Sequence, residues 1–222
     1  MHLTHLGHAC LLVEAAGRRV LVDPGSFSSS WHDLTYLDAV LVTHAHPDHV
    51  DAEHLPALLA ASPGARLVAE PALASDLLAG KTTGTPVETT ALPAGATQEL
   101  GGGLVVEAVG GRHAVIHADL DRIGNVGVLL RAEGEPSLLH PGDSYEATPV
   151  GVDVLAVPVN APWCAFRETV EFTRGVAAPT LVPVHDALLS PTGRALYLRQ
   201  LGALGHGEVH DLAGADRTEV RG

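Results

Sequence analysis

Three imidazoles and a carboxylate fall within six positions at His44-Ala45-His46-Pro47-Asp48-His49, directly behind the apolar run Asp38 to Thr43. The run reads as a strand, so the four donors sit on a loop at its end, where the ends of other strands can deliver partners. His44 and His46, two apart in extended chain, project to one side and can grip a single cation. Asp48 and His49, beyond the bend at Pro47, aim at a neighbouring position. The spacing suits two adjacent metals rather than a closed structural zinc site, which takes four ligands and often uses thiolates. Cys10 and Cys164 are the only cysteines, neither is near this loop, and both read as reduced thiols.

Fourteen histidines in 222 residues are scattered along the chain rather than gathered in a tag. Thirteen basic against 26 acidic residues give a formal charge of −13, which disfavours nucleic acid and anionic membranes as partners. No apolar run approaches the ~20 residues of a membrane helix, and the opening Met1-His2-Leu3-Thr4-His5 lacks the basic segment and apolar stretch of a signal peptide. A soluble cytoplasmic protein is the expectation.

Short Val/Leu/Ala-rich runs recur without a linker, which predicts one domain over residues 1–222. Leu11 to Glu14 and Arg19 to Asp23 flank a tight turn and read as a hairpin. Further strands are expected at 65–69, 87–92, 104–109, 126–131, 137–140, 154–157, 180–184 and 208–212, and helices at 51–60, 71–79, 166–176 and 192–204. Both halves begin rich in strands and finish with helices, the pattern of an α/β fold in which two sheets pack together beneath outer helices.

His44-Ala45-His46-Pro47-Asp48-His49 matches the HxHxDH signature of the metallo-β-lactamase-fold hydrolases, and the chain resembles that family along its length. Gly7-His8-Ala9, the following hairpin and Leu21-Val22-Asp23-Pro24 resemble the opening of the branch that includes ascorbate-6-phosphate lactonase. The resemblance implies an αβ/βα four-layer sandwich of two mixed sheets flanked by helices. It also implies further metal ligands at later strand ends. His113 follows a strand and Gly110-Gly111, with His117 four residues on as the competing choice. Asp143 stands in the Gly142-Asp143 pair, and His185 ends the apolar run Thr180 to Val184. By resemblance, His44, His46 and His113 hold one divalent ion, Asp48, His49 and His185 the other, and Asp143 bridges them. Asp23 is expected to support the ligand loop through hydrogen bonds rather than to bind metal, and His8, in the opening motif, either approaches the site or is satisfied by backbone.

Such a centre is a metal-dependent hydrolase in expectation. Two dications, two carboxylates and neutral imidazoles leave a net charge of about +2, which favours an anionic small-molecule substrate. A shared water acidified to a pKa of ~7 supplies the nucleophile for an ester, lactone or phosphoester, with Asp48 orienting it. Zinc leads among metals that accept these donors, and Mn²⁺ and Fe²⁺ also suit them. An iron-dependent redox or oxygen-handling protein and a metal-binding protein without turnover are the competing readings, and relatives of the lactonase kind point to a homo-oligomer. Trp163, in the loop Ala161 to Phe166 on the ligand edge, is a candidate wall of the substrate pocket. His140 is ambiguous, and His2, His5, His32, His54, His206 and His210 read as surface or edge residues. No Walker loop, dinucleotide fingerprint or Gly-x-Ser-x-Gly elbow is present.

Overall fold

The computed structural model describes residues 1–221. Its strands are, in chain order, β1 (His2–Gly7), β2 (Cys10–Ala15), β3 (Arg18–Val22), β4 (Ala39–Val42), β5 (Arg66–Ala69), β6 (Thr90–Ala91), β7 (Thr97–Gly101), β8 (Leu104–Arg112), β9 (Gly124–Arg131), β10 (Leu138–His140), β11 (Val154–Pro158), β12 (Thr180–Val184), β13 (Glu208–Val209) and β14 (Thr218–Glu219). The helices are α1 (Leu55–Ala61), α2 (Pro71–Leu78), α3 (Phe166–Val176) and α4 (Pro191–Leu204). The strands form two seven-stranded mixed sheets, in the orders β14-β1-β2-β3-β4-β5-β6 and β13-β12-β11-β10-β9-β8-β7.

The middle strands are apolar on both faces because both faces are covered. Val20, Val22, Leu41 and Val68 of the first sheet pack against Val106, Val128, Leu138, Val154 and Val182 of the second, forming the core between the sheets. The alternate residues Leu21, Val40, Val42 and Leu67 face outward under Leu55 and Leu58 of α1 and Leu73 and Leu77 of α2. On the other side, Leu129, Leu139, Leu155 and Leu181 lie under Phe172 and Val176 of α3 and Leu201 of α4. The result is the four-layer αβ/βα sandwich.

Each sheet joins an antiparallel part to a parallel one. β1-β2-β3 are antiparallel and β3-β4-β5-β6 parallel; β7-β8-β9-β10 are antiparallel and β10-β11-β12-β13 parallel. The β2–β3 hairpin turns through Ala16 (φ 50°) and Gly17 (φ 71°), the two positive φ angles of a type I′ turn. This pattern delivers the β1–β2 turn and the ends of β3, β4, β8, β10, β11 and β12 to one edge of the sandwich. Backbone bonds stitch the sheets there, among them Val126 N–H to the Thr43 carbonyl at 3.0 Å and His185 N–H to the His8 carbonyl at 2.8 Å.

Several elements depart from the sequence reading. The helix expected from Asp51 starts at Leu55, because the Asp51 carboxylate takes the backbone N–H groups of Glu53 and His54 and closes a turn first. The strand expected over 87–92 shrinks to Thr90–Ala91, and that over 208–212 to Glu208–Val209. β1, β7 and β14 were not anticipated; they pair mixed polar and apolar residues without a clear run.

Candidate metal centre

Seven side chains from both sheets meet at the shared edge. The loop after β4 brings His44, His46, Asp48 and His49; the ends of β8, β10 and β12 bring His113, Asp143 and His185. They divide into two groups around one carboxylate. Asp143 Oδ2 lies 3.4 Å from His113 Nε2 and 3.9 Å from His44 Nε2, and His44 Nε2 is 3.1 Å from His46 Nδ1. Asp143 Oδ1 lies 3.1 Å from His49 Nε2 and 3.2 Å from His185 Nε2, while Asp48 Oδ2 is 3.4 Å from His185 Nε2. His117, the competing choice for the third histidine, is exposed and faces Asp119 at 3.5 Å; His113 is the one drawn into the cluster.

The surrounding bonds decide which ring nitrogen is free. Thr43 donates its hydroxyl to Asp23 Oδ2 at 2.8 Å, so its oxygen accepts from His44 Nδ1 at 3.0 Å. His49 Nδ1 donates to Asp23 Oδ2 at 2.7 Å, His113 Nδ1 to the Ala114 carbonyl at 2.7 Å and His185 Nδ1 to the Asn160 carbonyl at 2.6 Å. Each ring therefore presents Nε2 to the centre. The Nε2 atoms of His49, His113 and His185, with Asp143 Oδ1, are buried and have no hydrogen-bond partner. Buried polar atoms left unpaired are costly unless something occupies the space between them. Imidazole and carboxylate donors in two adjoining groups fit a pair of divalent cations.

His8 carries the opposite tautomer. Its Nδ1 accepts the Ala187 N–H at 3.3 Å, which leaves the proton on Nε2, donated to Asp48 Oδ2 at 3.1 Å. It lies within reach of the second group, yet it points a proton, not a lone pair, at the carboxylate. Asp23 takes the Thr43 N–H at 2.8 Å as well as the two bonds above, holding the start of the ligand loop. His140 donates Nε2 to the Ala9 carbonyl at 2.8 Å and accepts the Gly142 N–H at 3.2 Å, so it shapes the Asp143 loop from behind.

Burial and charge split the titrating groups. Burial, reinforced by neighbouring imidazoles, holds His44 well below the ordinary histidine pKa, and lowers His46 also. Burial lowers His8 despite Asp48. Burial opposes protonation of His49, but Asp143 and Asp23 outweigh it and hold the ring well above the usual value. His185, against the same opposition, is raised to about 9 by the carboxylates of Asp143 and Asp48 beside its Nε2. Those imidazoles in turn overcome burial at Asp48 and Asp143 and keep both carboxylates well below their usual range.

The backbone is bent to serve the site. His8, Asp23 and His185 have φ of 52°, 49° and 60°, a left-handed conformation that side chains rarely adopt and that clusters at functional sites. A Cβ on Gly25 would lie 1.8 Å from the Asp48 carbonyl oxygen, so only glycine lets the loop after β3 pass under the ligand loop. Asn125, not singled out from sequence, is buried at the start of β9, accepts the Asp143 N–H at 2.9 Å and donates to the Pro141 carbonyl at 2.9 Å. A lone buried amide in a Val-rich strand was its only signal.

Trp163 donates Nε1 to Asp143 Oδ2 at 2.8 Å. It also walls a groove of about 550 Å³ with Val115, Arg122, Tyr145, Glu168 and Phe172 among its lining.

Residues 2–185 match the family model described as Beta-lactamase superfamily domain. The chain belongs to that superfamily. It is 42% identical over 202 residues to Protein Rv0786c of Mycobacterium tuberculosis, covering 90% of this chain and 91% of the relative. A UPF0173 metal-dependent hydrolase of Aeropyrum pernix is 30% identical over 149 residues, covering 64% of this chain and 61% of the relative. Among solved structures, Igni18, a metallo hydrolase of the archaeon Ignicoccus hospitalis, superposes with a TM-score of 0.74 over 99% of both chains at 18% identity, which speaks to the fold alone. Superfamily membership, the relatives' names and the two donor groups together support a metal-dependent hydrolase. These matches show the superfamily and do not bear on its lactonase branch.

Proposed function

We propose that the chain hydrolyses a small ester, lactone or phosphoester-type substrate at a pair of divalent cations. In this reading His44, His46 and His113 would hold one, Asp48, His49 and His185 the other, with Asp143 between the two groups. The observation that carries the reading is Asp143 itself, whose two oxygens each face a different group of imidazoles. Zinc suits the donors best, with Mn²⁺ and Fe²⁺ compatible. When bound, such a pair polarises the scissile group and lowers the pKa of a shared water to ~7.

The chain's own residues do the positioning. Asp48, held ionised by His185 and His8, keeps a carboxylate oxygen available to orient the attacking water. His8 fixes the Asp48 rotamer by donating Nε2–H, and Asp23 fixes His44, through Thr43, and His49. Trp163 joins the centre to the groove, so a substrate whose reacting group meets Asp143 places its arm along Val115, Tyr145 and Phe172. Arg122 in that groove is spent on Glu146 at 2.5 Å and on the His113 carbonyl at 2.7 Å, while Glu168 and Glu171 line it too. An arm that is apolar and uncharged fits this lining better than a phosphorylated sugar, and the anionic or dipolar part belongs at the cations.

Metal analysis followed by a panel of alkyl esters, lactones and phosphodiesters tests the reading. Two redox-inactive cations per chain with turnover support it. Iron with oxygen consumption replaces it by the redox reading, and bound metal without turnover by a binding role.

A further inference from the structure

Outside the seven-residue centre, one other group of metal-ligating side chains converges among the described residues: His32, Asp51 and His54. Read from sequence, both histidines were surface bystanders. The structure stacks their rings at 3.9 Å, 13° from parallel, over one carboxylate. Asp51 Oδ2 lies 2.8 Å from His54 Nδ1 and 3.8 Å from His32 Nε2, and the three donor atoms lie within 4.8 Å of one another.

Three features make this more than a surface hydrogen bond. Asp51 Oδ1 accepts the Glu53 and His54 N–H groups at 3.0 and 3.2 Å, which pins the carboxylate with Oδ2 turned to the rings. His32 Nε2 is buried and has no hydrogen-bond partner. Trp31, fully buried, stands edge-on to His32 at 4.5 Å and donates Nε1 to the Gly25 carbonyl at 3.1 Å, giving the pair a rigid back wall. The His32 and His54 side chains are 27% and 41% exposed, so the ring pair meets solvent at its outer edge while His32 Nε2 stays covered.

We infer that His32, Asp51 and His54 form a separate site for a divalent transition-metal ion of the zinc, nickel and copper class. Two imidazole nitrogens and one carboxylate oxygen suit those ions, and three protein donors leave a position for water. Donors sharing one ion at ~2.1 Å can be at most ~4.2 Å apart, so a small rotation of the rings brings all three into place. The ion takes the place of the hydrogen bond between His54 Nδ1 and Asp51 Oδ2, and the proton of the neutral ring moves through solvent to His54 Nε2. With neutral rings the site carries one negative charge, which an incoming dication overcompensates inside a chain of net charge −13.

The position gives such an ion a structural role. Asp51 N–H donates to the Pro24 carbonyl at 2.9 Å, and Ser26 N–H to the Pro47 carbonyl at 2.8 Å. The ion would therefore clamp the segment from Pro24 to His32 onto the segment that carries Asp48 and His49.

The test is metal content of chelator-treated protein dialysed against saturating buffered free Zn²⁺, for wild type, His32→Ala, His54→Ala and the double variant. The expected result is a loss of about one equivalent per chain in each variant. Turnover of whichever substrate the panel yields should be unchanged, and the Zn²⁺-induced rise in Tm smaller. Equal zinc content in wild type and double variant overturns the proposal. His32→Gln and His54→Gln, which keep the side-chain bulk, guard against a folding defect: both must lose the same equivalent while retaining the wild-type far-UV spectrum, and if either keeps it the proposal fails.

Discussion

At Asp23 one carboxylate accepts three protons: the Thr43 N–H, the Thr43 hydroxyl and His49 Nδ1–H. Asp23→Asn places an amide N–H₂ where only acceptors are tolerated, whichever way the amide turns, and so misorients His44 or His49 without removing either. We expect about 10–100-fold weaker metal binding, the range seen when a residue that orients a ligand is lost. Competition with a chromophoric chelator checks it, and affinity within twofold of wild type refutes the role. His185→Ala should be harsher, costing about one equivalent of metal and about 10³-fold or more in turnover; full metal loading would remove His185 from the set. These residues were legible because their chemistry is rare and compactly spaced. The choice between His113 and His117 was not, because both follow the same strand and only the path of the loop leaves His117 65% exposed. Asn125 and Gly25 were unreadable for a related reason, since what they touch is remote in sequence.

The strand-end loops depend on close backbone passage as much as on their ligands. Gly25→Ala would press a methyl onto the Asp48 carbonyl and the His49 nitrogen, both backbone atoms with little room to yield. The expected cost is on the order of 2–4 kcal/mol, with the ligand loop displaced. Denaturant unfolding and metal content report the two effects, and a variant with wild-type values for both would show that the loop can shift freely. The elements that could be read beforehand are the ones whose physics is local: β4, β11 and β12 are short apolar runs buried on both faces, and α4, expected over 192–204, runs from Pro191 to Leu204. Those that escaped, β1 and β7, are held by neighbours far along the chain, and α1 was placed too early because a side-chain cap at Asp51 competes with helix.

For the whole molecule, the proposed centre lies where the two sheets meet, with His44, His46, Asp48 and His49 from one and His113, Asp143 and His185 from the other. Cations there would tie the sheets together, and without them the same edge is held by protons on His49 and His185. The two states must then answer pH oppositely. In metal-free protein, His185 is raised from 6.5 to about 9. Its contribution to stability is thus complete below pH ~6.5 and lost as pH rises through ~9. Asp48 and Asp143, held below their usual range, add stability that is present above pH ~4 and lost only on further acidification. In metal-loaded protein the imidazoles must be deprotonated to bind, so raising the pH over the same window removes the competing proton and strengthens binding. Loading near pH 7 should release about two protons per chain, measurable by calorimetry in buffers of different ionisation enthalpy. Between pH 6.5 and 9, Tm should fall with pH for chelated protein and hold or rise for loaded protein. Two curves running parallel across that window would mean that the cations do not replace these protons, and that the edge between the sheets is not where they bind.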